Sequence, residues 1–345
     1  MFLTEQEIKD TPAALERTCS LFHQEKKTIK EFFCRNQERK FIFLGCGSSY
    51  MLAKSAAAIF GAIPNTTAYA IPAGDYIVNS DFWEETVKGS IVVSISRSGR
   101  TSEMVLAIKK IKAHWNCPVI SLSMEDNNDI MPMSNLNLTM HWCYDRSVCQ
   151  TRTVTNLYAA LLLLAAAYSG DDVIEASVEK AASECARFQE ENLPVLEEIS
   201  KLPWNNVTVL ADGPVCGIAE EAALAFTEIA MLPGRYFHVL DYRHGPIVLS
   251  DVHTLTLILI SPMEANLQKD MIRDVLSHNG PVVTIAASDD CYNSTTHIKM
   301  PQIKSFAAWG ILFIYVAQMT ALLKCLELAG NPDAPVGLDA YITLK

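Results

Sequence analysis

The sequence predicts an α/β fold made of two three-layer α/β/α units with parallel sheets, preceded by a helical lead-in. Three observations carry this. Short apolar runs of strand length alternate with stretches of helical periodicity over 41–140. The same alternation restarts at Val207, so the second half repeats the first. Two of the early apolar runs, Phe41–Leu44 and Ile91–Ile95, end in glycine- and serine-rich loops that open a helix.

A chain of 345 residues can bury a sizeable core and holds about two domains. Half of its residues are apolar and 19% are charged, the balance of a globular protein. The net charge of −11 argues against nucleic acid as a partner. It leaves room for a small anion held by a local cluster. The ten cysteines show no CxxC pair, and no histidine lies in an HExxH or Cys/His ligand pattern, so no metal and no cofactor are expected. Thiols scattered in apolar runs, such as Cys216 and Cys325, suit a reducing compartment. The opening MFLTEQEIKD resembles neither a secretory nor a transit peptide, and a cytoplasmic location is expected. Phe306–Leu323 approaches the length of a bilayer span, but Gln318 interrupts it. A buried core or dimer-interface helix reads the same way, so no membrane partner is expected.

Four segments are expected: a helical segment 1–36, a first domain 37–170, a helical linker 171–203 and a second domain with the tail, 204–345. In the first segment Ile8, Leu15, Phe22, Ile29 and Phe33 recur about every seven residues, and Pro12 breaks or starts a helix. Phe41–Leu44 is a strand, Gly45-Cys46-Gly47-Ser48-Ser49 a loop and Met51–Phe60 a helix; GCGSSY lacks the GxGxxG dinucleotide pattern. Thr66–Ile71 is a strand and 72–75 a turn. Ile91–Ile95 is a buried strand, and Met104, Val105, Ile108 and Ile111 mark a helix after it. Between them lie Ser96, Arg97, Ser98, Gly99, Arg100 and Thr101. Hydroxyls, backbone N–H groups and a helix N-terminus converge there, and two arginines add charge, which makes an anion site. The plainer reading is an ordinary capped turn. Val119–Leu122 and Leu136–Met140 are strands, the latter at an edge. The polar run Asp145–Thr155 feeds a helix over Val154–Tyr168, and Gln150, Thr151, Arg152 and Thr153 either line a pocket or cap it.

Asp171–Ser200 is a charged amphipathic helix. Beyond it come a strand Val207–Leu210, a turn 212–214, a helix Val215–Met231, a short strand ending at Val239-Leu240 and a polar turn 241–246. Strands Leu255–Ile260 and Val282–Ala286 flank a helix Asn266–His278, and Phe306–Leu328 is the last long helix. The counterpart of the hydroxyl loop, Ser261-Pro262-Met263-Glu264, lacks the hydroxyl cluster and is not expected to hold phosphate.

Two groups stand out as acid–base candidates. Glu228 lies among apolar helix neighbours in EEAALAFTEIA, two turns after Glu221 on the same face; a carboxylate there needs a partner or a task unless the face is solvated. His244 sits on a Gly-Pro turn beside Arg243, exposed and positioned, and imidazoles are common proton carriers.

Taken together, FLGCGSSY, SISRSGRTSE, EEAALAFTEIA and DYRHGP resemble the tandem sugar isomerase (SIS) domain family over about 41–345. They are similar to the isomerase half of glucosamine-6-phosphate synthase, to fructosamine-6-phosphate deglycases and to amino-sugar-phosphate isomerase/deaminases. The resemblance implies two flavodoxin-like domains and a phosphorylated sugar substrate. Its phosphate would lie on Ser48, Ser49, Ser96, Arg97, Ser98 and Thr101, with Gly47, Gln150 and Arg243 in the same pocket. Glu228 would match the general base, and His244 a histidine supplied by the neighbouring subunit of a homodimer. The implied chemistry is 1,2-enolisation of a ketosamine or amino-sugar phosphate. Some members are non-catalytic phosphosugar sensors; the presence of Glu228 and His244 favours an enzyme. Three departures separate the chain from the synthase. No glutaminase part precedes the matching stretch, Ala225 stands where the synthase has its sugar-opening lysine, and the tail has no lysine before Lys345.

Overall fold

The computed structural model describes residues 1–290 and 292–339; Cys291 and the last six residues, with Lys345, lie outside the described residues. Two compact units divide the chain. The first comprises Asp10–Arg146 and Gln150–Glu179 together with Asp339; the second comprises Met1–Lys9, Ser147–Cys149 and Lys180–Leu338.

The first unit holds a five-stranded parallel sheet of β1 (Lys40–Gly45), β2 (Thr67–Pro72), β3 (Ile91–Ile95), β4 (Val119–Ser123) and β5 (Leu136–Thr139), in the order β2-β1-β3-β4-β5. This is the flavodoxin-like doubly wound order. β3 and β4 are buried at every residue, as apolar strands covered on both faces must be. On one face Ile42, Leu44, Val92 and Val119 pack against Met104, Ile108 and Ile111 of the helix Ser102–Trp115. On the other side of the unit, Thr11–Arg35 and Arg152–Ser169 are joined by Thr18, whose hydroxyl donates to Asn156 Oδ1 at 2.5 Å. Pro12 starts the helix Thr11–Arg35 in its first turn, where its missing N–H costs nothing.

The second unit repeats the plan. β6 (Asn206–Leu210), β7 (Gly234–Phe237), β8 (Thr254–Leu259), β9 (Val282–Ala286) and β10 (Thr296–Lys299) form a parallel sheet in the order β10-β9-β8-β6-β7. Read from the other edge this is the same order as the first, so the internal repeat seen in the sequence is a repeat of topology. Leu210, Ile258 and Val282 pack against Met271, Ile272 and Val275 of the helix Ala265–Leu276. The helix Phe306–Glu327 is the one described helix long and apolar enough to cross a membrane, and 89% of its most apolar window is buried inside the protein. Near its end the ammonium of Lys324 donates to the carbonyls of Ser200 (3.1 Å) and Leu202 (2.7 Å) and lies over the Trp204 ring. It thereby satisfies carbonyls at the end of the helix Asp172–Lys201.

Three local expectations are corrected. Residues 72–75 are not a turn: Pro72 closes β2 and leads directly into a short helix, Ala73–Val78, which buries Ala73 and Tyr76. Tertiary burial overrides the weak helix propensity of an Ala-Gly-Asp start. The strand expected to end at Val239-Leu240 stops at Phe237, because the Val239 N–H is taken by the Asp212 side chain (3.3 Å) instead of a ladder partner. β10 gave no signal, since Thr296–Lys299 is a polar edge strand with only Ile298 buried.

Candidate active site

In a sheet of order 2-1-3-4-5 the chain leaves β1 and β3 in opposite directions, and the crevice beyond their carboxyl ends is where such folds hold ligands. Leu44 pairs with Ser94, so the two strands end level. The loops that follow are the two hydroxyl-rich stretches of the sequence.

The first loop turns at Gly47, with φ 52° and ψ −127°, a conformation that a side chain would strain. This throws the chain into the helix Ser48–Gly61, whose first two residues carry buried hydroxyls and whose N-cap offers no side-chain cap. The helix therefore begins with serines and N–H groups at the crevice. Burial, with Glu103 nearby, pushes the Cys46 thiol up to about 12 and so disfavours its thiolate.

The second loop is folded by its own hydroxyls. Ser96 Oγ accepts the Gly99 N–H (3.0 Å) and Ser98 Oγ accepts the Arg100 N–H (3.2 Å). Each hydroxyl keeps its proton for another acceptor. Gly99 has φ +62°, and a Cβ there would lie 2.3 Å from the Asn128 side chain. Asn128 is itself held fast: it donates to Ser123 Oγ and the Glu125 carbonyl and accepts the N–H groups of Ile130 and Met131. Thr101 is the N-cap of the helix Ser102–Trp115 without capping it through its side chain. Ser48, Ser49, Ser96, Ser98 and Thr101 thus all stand on two loops of one crevice in one unit.

The two arginines of the loop are engaged by the protein. Arg97 is buried, donates to the Asp145 carbonyl (3.3 Å) and lies 5.7 Å from the Tyr144 ring centre. Arg100 is half exposed and pairs with Glu125 at 3.2 Å. In the first turn of the following helix, Glu103 has one carboxylate oxygen buried with no hydrogen-bond partner among the described residues.

Gln150 lies just before the helix Arg152–Ser169, half-buried, its Oε1 buried and without a hydrogen-bond partner among the described residues. The N-terminus of that helix is occupied from within. Asp145, fully buried, accepts the N–H groups of Thr151 (2.7 Å) and Thr153 (2.8 Å) and faces Arg152 at 3.5 Å. Arg152 also reaches Asp10 and the Tyr144 carbonyl. Asp145 and Asn128 are supports that the sequence did not reveal, because each acts across a turn of irregular chain with no periodic signature.

The other candidates belong to the second unit. Glu221 is buried and Glu228 half-buried on the helix Cys216–Ile229. The Gly234 N–H donates to Thr227 Oγ1 (3.3 Å), which puts Glu228 beside the start of β7, at the amino edge of its sheet. His244 is exposed and follows a 3-10 turn, Asp241–Arg243. Its neighbour Arg243 pairs with Asp274 at 2.7 Å. In the second unit the loop after β8 is held by a side-chain amide. The Gln268 amide accepts the Ser261 N–H (2.9 Å) and donates to the carbonyls of Ser261 (3.0 Å) and Met263 (2.9 Å), and Asp212 brings a carboxylate to the end of β6.

A flavodoxin-order sheet with serine-lined loops at its switch point is the plan of a sugar isomerase domain. Residues 36–167 match the SIS domain family. The chain is 24% identical to the D-galactosamine-6-phosphate deaminase AgaS of Escherichia coli, covering 96% of this chain and 91% of that protein. It is 25% identical to a glutamine–fructose-6-phosphate aminotransferase (isomerizing) of Pyrobaculum aerophilum, over 89% of this chain but only 52% of that one. Among solved structures, the tagatose-6-phosphate ketose/aldose isomerase of Escherichia coli superposes with a TM-score of 0.86 at 22% identity, covering 97% of this chain and 96% of the other. A glucosamine-6-phosphate deaminase of Thermotoga maritima gives 0.76 at 22%, covering 95% and 99%. These likenesses establish the fold throughout the chain.

Proposed function

We propose that the protein is a phosphosugar enzyme that works by 1,2-enolisation on a phosphorylated ketosamine or amino sugar, as a deglycase or an isomerase/deaminase. The observation that carries this reading is the β1/β3 crevice, where buried serine hydroxyls and helix N-termini from two loops meet. A sugar phosphate supplies the dianion such a place suits. The deaminase and isomerase names of the similar proteins point to the same substrate class.

In this reading Ser48, Ser49, Ser96, Ser98 and Thr101 bind the phosphate. Arg97 lends its charge from behind the loop rather than as an exposed ligand, and Gly47, Gln150 and Arg243 shape the pocket. Glu228 removes the C1 proton of the open-chain ketosugar, giving an enaminol or enediol. Reprotonation at C2 yields the aldose or its imine, and where C1 bears nitrogen, water then releases the amine. No lysine is needed, because the substrate's nitrogen supplies the imine; Ala225 at the synthase's lysine position agrees with this. His244 opens the ring or moves a proton between oxygens, supplied by the second copy of a homodimer. Leu240, Val248, Leu249 and Val252 are exposed on the same loop, which supports the idea that another chain covers it. The enzyme works without a cofactor, in the cytoplasm.

The test is Glu228→Gln. Acid–base groups of this kind contribute about a hundred- to ten-thousandfold. The variant should lose turnover on that scale, and also solvent-deuterium exchange at C1, while still binding sugar phosphate. Near-normal exchange in the variant would sink the assignment. Binding without any exchange in the native protein would make it a sensor.

A further inference from the structure

On the outside of the first unit, away from both hydroxyl loops in sequence, two helices face each other with metal-ligating side chains. His23 lies on Thr11–Arg35; Glu175 and Glu179 lie one turn apart on Asp172–Lys201. Each offers one ligand atom, and these atoms all lie within 4.8 Å of one another. His23 Nε2 is 2.7 Å from Glu179 Oε1 and 3.5 Å from Glu175 Oε1. Atoms bound to a tetrahedral zinc ion at the usual bond lengths stand about 3.3 Å apart. The observed spacings bracket that value, so small side-chain rotations would complete the set.

Lys26, one turn after His23, donates to both oxygens of Glu175 (2.9 and 2.8 Å). The two carboxylates of Glu175 and Glu179 outnumber the one ammonium, so the cluster carries net negative charge. Lys26 fixes the Glu175 carboxylate much as outer-shell partners orient metal ligands. Cys19, one turn before His23, is kept as a neutral thiol by burial and by Glu179, which push it up to about 11. The donor set is thus one imidazole nitrogen and two carboxylates, which suits zinc or a similar first-row divalent ion rather than magnesium or calcium.

We propose that His23, Glu175 and Glu179 form a surface site for a divalent transition metal, zinc above all, that ties the helix Thr11–Arg35 to the start of the helix Asp172–Lys201. The site is independent of the proposed sugar chemistry. Its test uses the full chain, stripped with chelator and then titrated with zinc, followed by calorimetry and by thermal melting. The native protein should bind one zinc ion per chain at this site and melt higher with it. The double variant His23→Ala/Glu179→Gln should lose one equivalent and the metal-dependent rise in melting temperature, while melting like the native apoprotein within a few degrees. Cobalt in place of zinc should show ligand-field bands without sulfur charge transfer. Equal stoichiometry in the native and variant proteins, or a sulfur-to-cobalt band that survives in the variant as the only signal, overturns the proposal.

Discussion

Gly99 carries two constraints at once. Its positive φ costs an alanine about 1–2 kcal/mol, and the space for a Cβ is already taken by Asn128, which four hydrogen bonds hold in place. Gly99→Ala should therefore lower the melting temperature and, because Ser96 and Ser98 fold the loop through its N–H groups, weaken phosphosugar binding more than it weakens the fold. Parallel melting and ligand titration would read the two effects; unchanged binding would mean the loop is not the phosphate site. The hydroxyls of this loop were legible in the sequence because side chains that bind anions have to be of few types and close together. The engagement of its arginines was not, since Arg97 finds its partner across 48 residues at Asp145 and Arg100 finds Glu125 on the next loop. Charge written in a motif says nothing of what has already claimed it.

At the scale of elements, the helix Arg152–Ser169 shows how a buried anion can replace a local cap. Its N-cap, Thr151, makes no side-chain capping bond; Asp145 does the work from outside, accepting two N–H groups of the first turn. Asp145→Ala leaves those donors buried and Arg152 without that carboxylate, a loss of about 1–3 kcal/mol in stability. Denaturant unfolding should register it, and an unchanged midpoint would contradict the capping role. Strands and long helices were read nearly to the residue where both faces are buried, as in β3 and β9, because burial on both sides leaves a run of apolar residues and little else. The misses are elements whose form depends on distant chain: the helix Ala73–Val78 on burial of Tyr76, the end of β7 on Asp212, and the edge strand β10 on its pairing with β9.

At the scale of the whole molecule, the sequence repeat became two sheets of identical strand order, legible because doubly wound units alternate strands and helices regularly. Partnership of a second chain is a matter of surfaces, and the exposed apolar side chains around His244 are where it should show. The protein should sediment as a dimer, and Val248→Asp with Leu249→Asp should shift it toward monomer and lower activity together. Mixing inactive Glu228→Gln and His244→Ala proteins should restore part of the turnover if each site draws on two chains. A fully active monomer would refute the shared arrangement.

The amide of Gln268 has a consequence for counting. It knits Ser261 and Met263 to itself in the loop after β8, the counterpart in chain order of the hydroxyl loop after β3. A duplicated architecture would ordinarily promise two equivalents of ester per polypeptide; on the reading proposed above, titration should saturate at one.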